Sequence, residues 1–199
     1  IAEVAMWLMD HLMNRDLSEK LGQYFARLPL AKSARILQAN ALRTDWKEWL
    51  PPSQCAYVMG NPPFVGQTYR TDEQNQDVRD VFGDIRLVNS IDYVACWYVK
   101  AADYLRANPA IRCAFVSTNS IVQGEQVAVL WGAMLNKYGM HIHFAHRTFS
   151  WRNEAKGNAA VHCVIIGFAH CDTTNKVIFD YEDIKGESHA TYATNINAY

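Results

Sequence analysis

Apolar residues at Ile1, Val4, Ala5, Leu8 and Leu12 recur at helical spacing, so the chain opens in an amphipathic helix running to about Asn14. Such a stripe asks for a surface to pack on. After a connection from Leu17 to Pro29, the short apolar run Ala34 to Ala39 predicts a strand that ends at Asn40, and a turn with Asp45 follows. Trp46, Trp49 and Pro51-Pro52 mark a second connection. The run Cys55-Ala56-Tyr57-Val58-Met59 is apolar on both faces, as a buried parallel strand requires, and it stops at Gly60-Asn61-Pro62-Pro63.

From Gly66 to Gly83 the chain turns polar, which reads as an exposed loop with Asp72, Glu73 and Asp77 solvated. Ile91, Val94, Ala95, Tyr98, Ala102 and Leu105 then form a strong helical stripe that Pro109 closes, and Ile111 to Ser117 is the next apolar strand. Val127, Leu130, Trp131, Met134 and Tyr138 return to helical spacing. His141 to His146 and Val161 to Phe168 read as two more strands, and the polar loop Trp151 to Asn158 between them is short enough for antiparallel pairing. The segment after Ala169 is polar and fades without a clear element. Alternation early and a hairpin late predict an open α/β sheet with one antiparallel strand.

Composition narrows the class. A chain of 199 residues, 50% of them hydrophobic, can bury one sizeable core, and its 6 Trp, 10 Tyr and 8 Phe set it apart from disordered sequences. The net charge of -1 gives no global pull on phosphate, so any nucleic-acid contact must be local or come from elsewhere in a larger protein. Five cysteines without C-x-x-C spacing, mostly in apolar runs, suit reduced core positions and a reducing cytosol. No apolar stretch is long enough to span a membrane and no leader opens the chain, so it reads as a cytoplasmic protein without a membrane partner. Ile1 already lies inside a helical pattern, which suggests the edge of a larger protein.

The tetrapeptide Asn61-Pro62-Pro63-Phe64 carries the candidate chemistry. Its chance occurrence in a chain of this length is roughly a few in a thousand. It also sits at a strand's carboxyl end, the edge where open α/β sheets bind ligands. Two prolines fix φ and restrict Asn61, so the Asn61 side-chain amide and the Pro62 carbonyl point in set directions, each offering an acceptor oxygen. An exocyclic amine such as adenine N6 is a poor nucleophile because its lone pair is delocalised into the ring. Two acceptors gripping its N–H hydrogens draw the nitrogen toward tetrahedral geometry and free that lone pair. Phe64 offers a face for the base to stack on. A base in duplex DNA reaches such a pocket only by rotating out of the helix.

With its flanks, Gly60-Asn61-Pro62-Pro63-Phe64-Val65-Gly66 resembles motif IV of the S-adenosylmethionine-dependent amino-methyltransferases, particularly the DNA adenine-N6 methylating subunits of restriction-modification systems. The likeness covers most of the chain. It implies a partial Rossmann-like class I methyltransferase sheet, mostly parallel, with one antiparallel strand in a C-terminal hairpin. Asn61, Pro62 and Phe64 take the catalytic positions, with Pro63 beside the substrate. Ala34 to Asn40-Ala41-Leu42 is similar to the family's third sheet motif, which makes Asn40 and Ala41 cofactor-binding candidates, although Asn40 stands where the family usually has Asp. Asp92 to Tyr104 resembles the helix whose aromatic packs near the cofactor adenine, and Trp97 matches it. Phe115 to Ser120 resembles the following strand and loop. The hairpin from Phe144 to Phe168 is similar to the family's last, where an aromatic meets the flipped base: Phe149 is the candidate and Trp151 its rival.

The pattern from Trp151 to His162 is similar to single-chain restriction-modification enzymes of the MmeI type, in which a nuclease precedes the methyltransferase and a target-recognition domain follows it. The resemblance assigns residues 1–170 to the C-terminal two-thirds of the catalytic domain and 171–199 to a connection toward the next domain. No G-x-G occurs, nor an acidic residue after a second strand to hold the cofactor ribose, so both are expected upstream of Ile1, and the chain alone should be inactive and bind S-adenosylmethionine weakly or not at all. The partners implied are double-stranded DNA with base flipping, the upstream methyltransferase segment, and the nuclease and recognition domains.

Plainer readings stand beside these. Asn61 to Phe64 is also a rigid strand-ending turn, Asn40 a turn residue, Trp97 helix packing and Phe149 hairpin core. His141, His143 and His146 suggest a metal site but lack a completing thiol or carboxylate, and an edge strand explains them, so no metal ligand is assigned. Arg147, Arg152 and Lys156 are candidates for phosphate or simply solvated charge. A methyltransferase for protein glutamine, whose amide is also planar, and a non-catalytic scaffold are the alternative functions.

Overall fold

The computed structural model describes residues 1–25, 34–151 and 161–198, which fall into two compact units, Ile1–Asn40 and Ala41–Tyr199. In the first unit, helix α1 (Ala2–Leu21) runs a further two turns beyond the predicted end near Asn14. The reason is legible: Met13, Leu17 and Leu21 continue the four-residue step, Lys20 pairs with Asp16 at 3.0 Å, and the helix stops only at Gly22, whose φ of 64° is left-handed. No α1 residue is buried. Residues 34–39 do not form the predicted strand: they take no place in the sheet among the described residues.

The second unit is built on a six-stranded sheet in the order β1-β2-β4-β3-β5-β6. Its strands are β1 (Tyr57–Gly60), β2 (Arg112–Thr118), β3 (His141–Trp151), β4 (Val161–Ala169), β5 (Lys176–Tyr181) and β6 (Ser188–Ala193). β1 and β2 are parallel, as are β3 and β5, whereas β4 runs against both β2 and β3, and β6 against β5. Two strands therefore oppose the other four, not the one expected. The second comes from the segment after Ala169, which reads as featureless yet supplies β5 and β6: the apolar run Val177-Ile178-Phe179 is short among polar neighbours, and β5 lies half-buried between β3 and β6.

Helices pack on one face of the sheet. α4 (Ala95–Leu105) buries Ala95, Tyr98, Ala102 and Leu105, as its stripe predicts. Tyr98 anchors the core, stacked on Phe168 with centroids 5.5 Å apart and edge-on to Phe115 and Trp131, and its hydroxyl meets Ser117 Oγ at 2.8 Å. Short helix α5 (Gly124–Gln126) continues as π-helical turns through Val127–Trp131 and Ala133–Lys137, which bury Leu130, Trp131 and Met134. Cys96, Cys113 and Cys163 are buried thiols, and burial pushes Cys96 up to about 12, so it stays protonated.

Further expectations are corrected. The predicted loop 66–83 contains helix α3 (Asp72–Phe82), opened by a capping box in which Thr71 and Gln74 exchange hydrogen bonds and closed by Gly83. Its polar composition hides a narrow apolar face, Val78 and Phe82 one turn apart. Asp72 and Glu73 are exposed, but Asp77 is only 3% exposed. Strand β1, expected to be buried on both faces, lies at the sheet edge with Met59 78% exposed.

Close packing on the other sheet face makes a test. The Phe144 ring of β3 lies across Gly167 of β4, so a Cβ there would come within 2.0 Å of a ring carbon. Gly167→Ala is expected to cost about 1–3 kcal/mol in denaturant unfolding, whereas an unchanged midpoint would show that the Phe144 ring moves aside freely.

Candidate active site

Parallel pairing of β1 with β2 sets Gly60 opposite Phe115, and a Cβ at Gly60 would touch that ring at 3.5 Å. The chain crosses the ring closely and leaves the sheet at its carboxyl edge as Asn61-Pro62-Pro63. Asn61 and Pro63 are exposed, Pro62 is buried, and Phe64 is half-buried against the hydrophobic core. The corner is thus pinned by one proline and open to solvent at the asparagine.

Asn61, Pro62 and Pro63 line a cavity of about 400 Å³. Ala41 and Trp97 line it too, so the structure brings together five of the sequence candidates. Trp46 and Trp49 add two aromatic walls, and Val58 and Phe115 lie below. Trp46, on the short helix α2 (Trp46–Trp49) capped by Asp45, is held by its indole N–H, which donates to the Ala41 carbonyl at 2.8 Å. Lys100 of α4 donates to the Leu42 carbonyl at 2.5 Å, and burial lowers its pKa. Three tryptophans facing apolar side chains suit a flat heteroaromatic ring.

Of the candidates on the second unit, Phe64, Phe149 and Trp151 do not line this cavity. Asn40 closes the first unit, where it is exposed. Phe149 is on β3, three strand steps from β1, on the order of 14 Å at about 4.8 Å per step. It stacks on Tyr181 at 5.5 Å and tilts toward Trp151 at 6.1 Å. β3 runs parallel to β1 and β2, so its end at Trp151 and the proline corner lie at the same, carboxyl edge of the sheet. Of the basic residues considered for phosphate, Arg147 pairs with Asp180 at 3.0 Å and holds its carboxyl below the usual range, and Arg152 and Lys156 lie outside the described residues. His141, His143 and His146 turn to Asp172, the Cys171 carbonyl and the Tyr181 hydroxyl, and no three ligand-type side chains converge among the described residues.

With this geometry in view, the family described as MmeI, DNA-methyltransferase domain, matches residues 1–180. The chain belongs to the MmeI DNA-methyltransferase domain family. It is 39% identical over 183 residues to DNA methyltransferase A of Bacillus subtilis (strain 168), a match covering 90% of this chain and 21% of that protein. It superposes on the Type IIL restriction-modification enzyme MmeI, solved in complex with DNA, with a TM-score of 0.87 and 54% identity, over 100% of this chain and 26% of that one. This MmeI-type domain thus spans about a fifth of the one relative and a quarter of the other.

Two buried carboxylates brace the MmeI-type corner, and neither stood out in the sequence. Asp77 accepts from Arg43 Nε at 2.7 Å and from the Tyr93 hydroxyl at 2.6 Å, and it holds the Arg43 guanidinium above its ordinary pKa. Asp92 accepts from Thr118 Oγ1 at 3.2 Å and from Ser120 Oγ, tying the start of α4 to the carboxyl end of β2. Next to it, the Tyr93 N–H donates to the Val65 carbonyl at 2.9 Å, which fixes the exit of the corner. A signal existed: Thr71-x-x-Gln74 marked the helix that carries Asp77.

The hairpin's aromatic patch has a pH signature. His146 stacks on Phe179 at 4.2 Å, and burial lowers its pKa below the ordinary 6.5. The native state then favours neutral imidazole while the unfolded chain takes up a proton as pH falls through about 6.5, so stability is lost on acidification and is unaffected above that range. Between about pH 7.5 and 5.5 the wild type is expected to lose more stability in denaturant unfolding than His146→Gln. Equal losses would assign the dependence to other groups.

Proposed function

We propose that this chain is the substrate-gripping part of a methyltransferase that moves a methyl group from S-adenosylmethionine to adenine N6 in specific DNA, within a restriction-modification protein. One observation carries the reading: Asn61-Pro62-Pro63, Ala41 and Trp97 line a single cavity at the carboxyl edge of the sheet. The family match and the likeness to MmeI, solved with DNA, support DNA as the substrate.

The residues present suit the cofactor's adenine ring: Trp46, Trp49 and Trp97 with Ala41 form a flat apolar cleft, and a volume of about 400 Å³ is in the range of small-ligand sites. When bound, S-adenosylmethionine supplies an electrophilic methyl group. The Asn61 side-chain oxygen and the Pro62 carbonyl accept the two hydrogens of the target amine and turn its lone pair outward. Phe64 stacks beneath the base and holds the amine in line. The nitrogen becomes acidic only once it is alkylated, so its proton leaves without a dedicated strong base. A duplex adenine must leave the stack to reach the corner, and Phe149, or Trp151 in its place, would pack against the displaced base. An upstream methyltransferase segment, a nuclease and a target-recognition domain complete the proposed protein.

The test uses the intact protein with labelled S-adenosylmethionine, target duplex DNA and, separately, glutamine-containing peptides. The expected product is N6-methyladenine, identified by mass spectrometry of digested DNA. Asn61→Ala should lower kcat by roughly 10²–10³-fold while leaving cofactor affinity nearly unchanged. Methylation of the peptides instead of DNA, or full activity in Asn61→Ala, would overturn the reading.

A further inference from the structure

We propose that Asp77 is a positioning residue for the cofactor cleft, holding its walls in register through Arg43 and Tyr93; this rests on the cleft's reading as the adenine site. Asp77 lies on α3, outside the cavity, yet its two carboxylate oxygens go to different segments. Oδ1 takes the Arg43 Nε hydrogen at 2.7 Å, two residues beyond the cavity-lining Ala41. Oδ2 takes the Tyr93 hydroxyl at 2.6 Å. The Tyr93 ring stands edge-on to Trp97, centroids 5.3 Å apart at 84°, and Trp97 is a cavity wall. The Tyr93 backbone N–H also binds the Val65 carbonyl at 2.9 Å, one residue past Phe64. One buried carboxylate therefore reaches the 41–43 segment, the Trp97 wall and the exit of the proline corner.

Helix stability does not explain this charge. α3 already has its capping box and buries Val78 and Phe82. An ion pair whose arginine side chain is 53% exposed also adds little stability, because solvent screens its Coulomb energy and desolvation of the carboxylate offsets more of it. What two directed acceptor oxygens provide is geometry. Arg43 brings four more N–H hydrogens on a rigid fork, and Tyr93 brings a ring whose orientation is set by its hydroxyl. Without Asp77, segment 41–43 is still tied to α4 by the Lys100 bond to the Leu42 carbonyl but loses its tie at Arg43, and the Tyr93 ring behind Trp97 loses the anchor of its hydroxyl, so a flat ligand between them is gripped less closely. The tie to Val65 is made by the Tyr93 backbone and survives loss of the Asp77 side-chain contacts, so DNA affinity and the Asn61 chemistry are left in place.

The experiment measures, on the intact protein, the Kd of S-adenosylhomocysteine by calorimetry, KM for S-adenosylmethionine, kcat, the Kd of target duplex by fluorescence anisotropy, and Tm. Asp77→Asn and Tyr93→Phe are expected to raise the S-adenosylhomocysteine Kd and the cofactor KM roughly 10-fold. Duplex Kd and saturated kcat should stay within about 3-fold. Arg43→Ala should reproduce the loss and Arg43→Lys recover part of it. Tyr93→Phe keeps the ring, so it carries the test alone if Asp77→Asn does not fold. Variants that bind S-adenosylhomocysteine as the wild type does, with or without a lower Tm, would overturn the proposal, as would loss of cofactor and DNA binding in equal measure. A wild-type protein that binds no S-adenosylhomocysteine would instead overturn the functional reading on which the proposal stands.

Discussion

Everything at the site depends on where the β1–β2 ladder ends. Four residues of β1 pair with β2, and the last pair sets Gly60 over the Phe115 ring. Phe115 is in turn locked edge-on to Tyr98, at 5.3 Å, in the most densely aromatic part of the core. A corner made by two prolines would be stiff anywhere. Here it is also fixed in place, because the strand that delivers it rests on side chains that cannot shift without disturbing the helix-covered face of the sheet. A short, exposed edge strand thereby presents a well-placed asparagine.

Around that fixed point the cleft is assembled from distant parts of the chain by polar contacts. Trp46 is tied to the Ala41 carbonyl, Lys100 to the Leu42 carbonyl, Asp77 to Arg43 and Tyr93, and Asp92 to Thr118 and Ser120. Directed bonds at these positions specify orientation more than they add stability, which is what a site that must hold two planar groups at a set distance requires. The apolar core supplies the platform and the carboxylates align what stands on it.

This division explains what could be read in the sequence. The helix α4 stripe, β2, the β3–β4 hairpin and the proline corner announce themselves because periodicity and proline are local signals. Helix α3 was hidden because only Val78 and Phe82 face inward while the rest of it is polar, although its capping box was there to be read. Asp77 looked like solvated charge because its partners lie 34 and 16 positions away, a separation no local pattern encodes. Strand β1 looked buried because its apolar faces are real, but its place at the edge depends on strand order, not on its own residues. The five candidates that line one cavity were found through family likeness and the motif together; Trp46 and Trp49, which complete it, read only as a connection.

The most direct measurement is a structure of the intact protein bound to target DNA and S-adenosylhomocysteine. The account requires an adenine out of the duplex, with N6 within about 3.2 Å of the Asn61 side-chain oxygen and the Pro62 carbonyl, Phe64 beneath the ring and the cofactor adenine against Trp97. A target base bound elsewhere, or an Asn61 side chain turned away from its amine, would contradict it.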